Sequence, residues 1–164
     1  MITTYSMSND ASNQVNIQIY KKDWLGNQYV AIAFSDDQRM GDDLVFSCSE
    51  QGVNVGWNLR YSGPPSELEG VTILNESISA KDGHITCSFS LDEQMNFEST
   101  IVEVVDFRGD PTFDFRKDHF LFLATGPMTS QDEIGIHTVK VASEEMINVK
   151  KYQEKSKGLL IINK

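Results

Sequence analysis

The sequence predicts an all-β chain, an antiparallel sandwich or barrel, on three observations. Apolar and polar residues alternate with period two in several stretches. Clusters of Gly, Asp, Asn and Ser separate those stretches at short intervals. No stretch carries a strong apolar stripe at helical spacing. At 164 residues the chain has the size of one domain, long enough to bury a proper core.

The strands follow in order. Val15 to Tyr20 is a first candidate. Tyr29 to Phe34 (YVAIAF) is apolar on both faces, as expected for a central strand covered on each side. Leu44 to Cys48 is next, and then Val53, Val55, Trp57, Leu59 and Tyr61 alternate with Asn54, Gly56, Asn58 and Arg60. Val71 to Ser79 leads through the turn signal Lys81-Asp82-Gly83 into Ile85, Cys87, Phe89 and Leu91, which alternate with Thr86, Ser88 and Ser90. Thr100 to Phe107, Phe120 to Ala124 (FLFLA, a second central strand) and Ile136 to Val141 complete the set. Ala142 to Lys155 is rich in helix formers with few apolar positions, which leaves a short helix, a strand or a tail open. Prolines 64, 65, 111 and 127 fall between these elements.

The formal charge of −10 disfavours phosphate-backbone binding, so nucleic acid is not an expected partner. No run reaches the roughly 18 to 20 apolar residues of a membrane span. The opening MITTYSMSNDAS lacks the apolar region of a secretion signal, so a role outside the cytosol would make this segment a domain of a longer protein. Neither Cys48 nor Cys87 has zinc-site spacing. There is no HExxH, no GxSxG and no phosphate-binding glycine loop. Asp36-Asp37 and Asp42-Asp43 lack calcium-loop spacing and read as solvated carboxylates. Arg108-Gly109-Asp110 is short enough to be a chance adhesion tripeptide.

Two segments are more specific. The first, YVAIAFSDDQRMGDDLVFSC (29–48), is a buried strand, an acidic turn, Met40 followed by glycine, and a second strand. The second, HFLFLATGPMTSQDEIGIHTVK (119–140), is an apolar strand ending in Ala-Thr-Gly, a glycine-bearing loop and His137. Together, in this order and 97 residues apart, they resemble the DOMON family over roughly residues 14 to 141. The likeness is to its cytochrome type, found in ferric-chelate reductase-like proteins and in cellobiose dehydrogenase.

That resemblance implies an immunoglobulin-like antiparallel β-sandwich spanning 1–164 as a single domain, with 142–164 as a C-terminal extension. It also implies one haem b held between axial ligands Met40 and His137. Thioether and imidazole together fill both axial positions, which suits one-electron transfer better than oxygen activation. Met40 stands in a polar turn, where a methionine is not core filler. His137 shares a face with Val139 and Val141 if its segment is a strand, turning the imidazole toward the interior. His119, before FLFLA, is the competing ligand, and His84 reads as solvent-exposed. Tyr29, Phe34, Phe46, Trp57 and Phe122 are available to wall the haem.

Cys48 and Cys87 fall on apolar faces, where they are either reduced core residues or a disulfide. Family members with cysteines in comparable strands favour the disulfide, and with it an extracellular or lumenal ectodomain. Asn75-Glu76-Ser77 is an N-glycosylation sequon that agrees with such a location. The implied function is an electron-transfer domain rather than a complete enzyme. Its partner would be a transmembrane cytochrome b or another redox domain, in a parent resembling a ferric-chelate reductase. The alternative is a haem-free module binding sugar or another ligand in the same cleft.

Overall fold

The computed structural model describes residues 2–6, 13–58, 64–68, 70–96, 112–129, 133–149 and 162–163. Two antiparallel sheets face each other. One is built from β1 (Ile2–Ser6), β2 (Gln14–Lys22), β7 (Leu74–Lys81), β8 (His84–Asp92) and β14 (Ile162–Asn163), in the order β14-β1-β2-β8-β7. The other holds β3 (Gln28–Ser35), β4 (Asp43–Ser49), β5 (Gly52–Asn58), β6 (Ser66–Glu67), β11 (Asp118–Pro127) and β12 (Val139–Ala142), in the order β12-β11-β3-β4-β5-β6. A short ribbon pairs β9 (Gln94–Asn96) with β10 (Thr112–Asp114), and β13 (Ile147–Asn148) pairs with β11. This is the β-sandwich that the alternation and turn spacing predict.

The two central strands are where their two-sided apolar pattern puts them: β3 lies between β11 and β4, and β11 between β3 and β12. The Lys81-Asp82-Gly83 signal turns β7 into β8, with Asp82 and Gly83 both at positive φ. Thr100 to Phe107 and the Arg108-Gly109-Asp110 tripeptide lie outside the described residues. So do Leu59 to Tyr61, at the end of the β5 alternation, and residues 150–155 of the segment from Ala142 to Lys155. Within that last segment, Ile147 and Asn148 form a strand and Val149 is fully buried.

The core fills the space between the sheets. Val15, Ile17 and Ile19 of β2 and Ile85, Cys87, Phe89 and Leu91 of β8 meet Val30, Ile32, Phe34, Leu44, Phe46, Cys48, Leu121 and Leu123 of the other sheet. Phe46 contacts Phe34 edge-on and Phe89 across the sandwich, with ring centroids 6.1 and 5.5 Å apart. A disulfide joins Cys48 of β4 to Cys87 of β8, so one covalent link ties the two sheets through the middle of the core.

Candidate functional site

Register fixes what stands on the other face of the β3-containing sheet. Ala31 pairs with Ser47 and Ala124, Ala33 with Val45 and Phe122, Tyr29 with Gly126, Val45 with Gly56, and Ser47 with Asn54. Because directly opposed residues of antiparallel strands share a face, all ten point away from the inter-sheet core. Most are small. They form a low floor on which Tyr29, Ala31, Val45 and Met128 pack together, with Ala33, Ala124 and Ile134 beside them. Next to this cluster is a cleft of about 270 Å³, lined among others by Ser47, Asn54, Gly56, Pro65, Glu67 and Glu133.

Met40 lies in the turn between β3 and β4, and local bonding explains that turn. Ser35 Oγ accepts from the Asp37 amide at 3.2 Å, and Asp37 Oδ1 from the Arg39 amide at 2.6 Å. Asp43 Oδ2 accepts from the Gly41 amide at 2.7 Å, while Gly41 and Asp42 both take positive φ. The turn leaves Met40 41% exposed, its Sδ 3.6 Å from Lys140 Nζ. Lys140 sits on β12 opposite Ala124. Gln38 Nε2 donates to the Glu144 carbonyl at 3.0 Å, a second tie between this turn and the chain after β12.

Of the four acidic residues read as solvated, Asp36, Asp37 and Asp42 are exposed but Asp43 is only 1% accessible. The correction has a plain cause. Asp43 opens β4 and closes the turn on itself by holding the Gly41 amide. Burial raises its carboxyl pKa, opposed in part by hydrogen bonds that include those from Gly41 and Asn58.

His137 also departs from expectation. β12 begins at Val139, so His137 is not a strand residue aimed at the interior; it is half-buried in the segment leading into β12. That segment is fastened along its length. The Gly135 amide donates to the Pro127 carbonyl at 2.9 Å, the Thr138 amide to the Thr125 carbonyl at 2.8 Å, and Tyr29 Oη to the Gly135 carbonyl at 3.1 Å. Gly126 makes the fit possible: a Cβ there would stand 2.8 Å from the Ile136 carbonyl oxygen and 2.9 Å from His137 Cα. Among the described residues nothing hydrogen-bonds the His137 imidazole. Burial pushes the Tyr29 phenol up to about 12.

The Met40 turn thus reaches β12, and the His137 segment crosses its neighbour β11. The Met40 sulfur touches the residue opposite Ala124 and the His137 backbone crosses Gly126, two positions or about 7 Å further along β11.

His119 belongs elsewhere. It is 2% exposed on the core side of β11, stacked on Phe113 at 4.7 Å, with Nε2 3.0 Å from the Asp114 carbonyl oxygen and Nδ1 3.3 Å from Asp36 Oδ1. It is a core histidine with partners, on the far side of the sheet from Ala124 and Gly126. His84 is half-buried and stacks on Tyr20 rather than standing free. Of the proposed walls, Phe34 and Phe46 are inter-sheet core and Trp57 packs against it, whereas Tyr29 and Phe122 share the outer face.

In fold the chain is similar to the cytochrome domain of Myriococcum thermophilum cellobiose dehydrogenase, with a TM-score of 0.59 over 87% of this chain and 73% of that one, at 12% identity. That likeness is one of fold: both are antiparallel β-sandwiches. In sequence the domain is 30% identical over 136 residues to a Drosophila melanogaster protein named as a ferric-chelate reductase 1 homologue, covering 78% of this chain. It is 29% identical over 127 residues to a Danio rerio protein named as ferric-chelate reductase 1, covering 74% of this chain. The chain spans about a fifth of the length of these two curated relatives, 19% and 20% respectively. No family model matches the chain. No described helix is long and apolar enough to cross a membrane.

Sequence reasoning missed the small-residue floor, the Tyr29–Gly135 strap and Lys140. The floor had a signal: Ala31, Ala33, Ala124 and Gly126 recur at period two within otherwise bulky strands. The strap and Lys140 depend on tertiary placement and had none.

Proposed function

We propose that this domain holds one haem b over the outer face of the β3-containing sheet, with Met40 and His137 as its axial ligands, and relays single electrons within a larger reductase. One observation carries the reading: the Met40 sulfur contacts Lys140, which lies on β12 opposite Ala124, and the His137 backbone crosses Gly126 two positions along β11. The donor set fits the group. A thioether that is 41% exposed and an imidazole free of hydrogen bonds among the described residues are both available, and the alanines and glycine beneath offer a flat apolar surface. The bound haem would supply reversible one-electron chemistry.

This chain's own residues do the positioning. Asp43 fixes the Gly41 amide and so sets the turn that presents Met40. Tyr29, Gly126 and Thr125 hold the backbone on both sides of His137, which limits how far the imidazole can move. Ligands held in place keep the rearrangement on electron transfer small, and Phe122 and Ile134 add apolar cover on the same side.

The disulfide through the core suits an extracellular or lumenal ectodomain, where thiols stay oxidised. The donor or acceptor would be a transmembrane cytochrome b or another redox domain of the parent chain, steered by the net charge of −10. A second reading, a haem-free module for sugar or another polar ligand, is favoured by the Ser47, Asn54, Glu67 and Glu133 groups around the cleft.

Titration with haemin decides between them. The cytochrome reading expects one equivalent bound with a low-spin spectrum that sharpens on reduction. Met40→Ala and His137→Ala should each turn it high-spin or weaken uptake at least tenfold, while His119→Ala leaves the ligation unchanged. Failure of the wild type to take up haem, or an unaltered spectrum in both ligand variants, would sink the reading.

A further inference from the structure

We propose that Asn75 carries an N-linked glycan that covers the outer edge of the five-stranded sheet. Asn75-Glu76-Ser77 is the only Asn-x-Ser/Thr triplet with x other than proline in the 164 residues. Its motif is weak alone; its placement is the stronger observation. The triplet lies on β7, the outermost strand of its sheet, and Asn75, Glu76 and Ser77 are all exposed.

The backbone there is bent for presentation. The pairing of β7 with β8 slips between Leu74 and Ser77, and Asn75 takes a φ of +52°, a left-handed conformation that asparagine tolerates better than most residues. The bulge is held on both sides. Glu76 Oε1 accepts from the Val53 amide of β5 at 3.2 Å, and Asn75 Nδ2 donates to Ser90 Oγ at 3.3 Å, which in turn donates to Asn16 Oδ1 at 2.6 Å.

The modification is compatible with those contacts. Asn75 Nδ2 attacks the anomeric carbon of a lipid-diphosphate-linked oligosaccharide. The N–C bond forms, the carbon–oxygen bond to the diphosphate breaks, one amide proton is lost and the lipid diphosphate departs. The product amide keeps one N–H, enough to retain the bond to Ser90 Oγ. The compartment that supplies this donor also oxidises thiols, and the Cys48–Cys87 disulfide requires such a compartment.

The glycan also answers a structural need. Among the described residues β7 pairs only with β8, and an edge left open in this way is a template for association with another chain. Glu76 places that edge beside β5, and β5 is separated from β11 by β4 and β3, roughly 14 Å across the sheet. A glycan on Asn75 therefore blocks the exposed edge while leaving the Met40 and His137 segments clear. The inference rests on the disulfide and the sequon and is independent of the haem reading.

The test is secretion of the full chain, behind an added signal peptide, from cultured animal cells. The expected product is one species that loses a single glycan on treatment with peptide-N-glycosidase, with mass spectrometry showing the acceptor asparagine converted to aspartate. Asn75→Gln and Ser77→Ala should each abolish the shift, and Ser77→Thr should keep it. Secreted, disulfide-bonded wild-type protein with an unmodified Asn75 peptide overturns the proposal. So does a glycan shift that survives Ser77→Ala.

Discussion

The two faces of one sheet are built from different kinds of side chain. On the inner face, β3, β4 and β11 present Val30, Ile32, Phe34, Leu44, Phe46, Cys48, Leu121 and Leu123, each at most 2% exposed. On the outer face the same strands present Ala31, Ala33, Val45, Ser47, Ala124 and Gly126, one residue out of step. The inner face is bulky, interlocked with the opposite sheet and crosslinked. The outer face is small-sided, and two chain segments are pinned across it by hydrogen bonds rather than by packing volume. The core and the proposed haem face are thus separable at single-residue resolution within each strand, because the pleat sends neighbours to opposite sides.

The difference can be broken most forcefully from the inner side. Phe46→Ala removes a fully buried ring that touches Phe34, Phe89 and Phe115. The expected loss is about 3–5 kcal/mol in urea unfolding of the disulfide-intact protein. A loss below about 1 kcal/mol would mean that the sandwich core is not where stability resides. From the outer side, Gly126→Ala puts a Cβ against the Ile136 carbonyl oxygen and His137 Cα, backbone atoms that cannot swing aside. The segment must lift, at a cost of about 1–3 kcal/mol. The sharper readout is the His137 ring resonances, which should shift in Gly126→Ala and stay in place in Phe46→Ala under native conditions. The same shifts in both variants would show that the two faces are coupled.

This separation also explains what was legible in the sequence. Strand positions on the inner face are written as large apolar residues at period two, so β2, β3, β4, β8 and β11 and the inward cysteines could be read directly. The outer face is written in small residues, which resemble filler. Its arrangement depends on contacts between residues up to 106 positions apart, such as Tyr29 with Gly135. Period two also misplaced His137: Ile136 to Val141 alternates well enough to look like one strand, but Gly135 and the close approach over Gly126 hold the first part of that segment outside the ladder. Asp43 was misread for a related reason. A run of acidic residues in a turn looks solvated, and only the fold shows that the last of them closes the turn.

The finest test of the contrast is Tyr29, whose ring packs on the outer face and whose hydroxyl is, among the described residues, the one side-chain donor to the Gly135 carbonyl. Tyr29→Phe keeps the ring and removes only the hydroxyl, so the neutral-pH cost should be about 0.5–1.5 kcal/mol. Its pH dependence is more telling. Burial raises the phenol from 10.0 to about 12, so between those values the unfolded chain has lost a proton that the folded chain retains. Stability contributed by this group is complete below pH 10 and declines as pH rises toward 12. Unfolding free energies measured from pH 9 to 12 should therefore fall less steeply in Tyr29→Phe than in the wild type. Equal slopes would mean that the phenol is already open to water in the folded state, with the His137 segment loose on the strand beneath it.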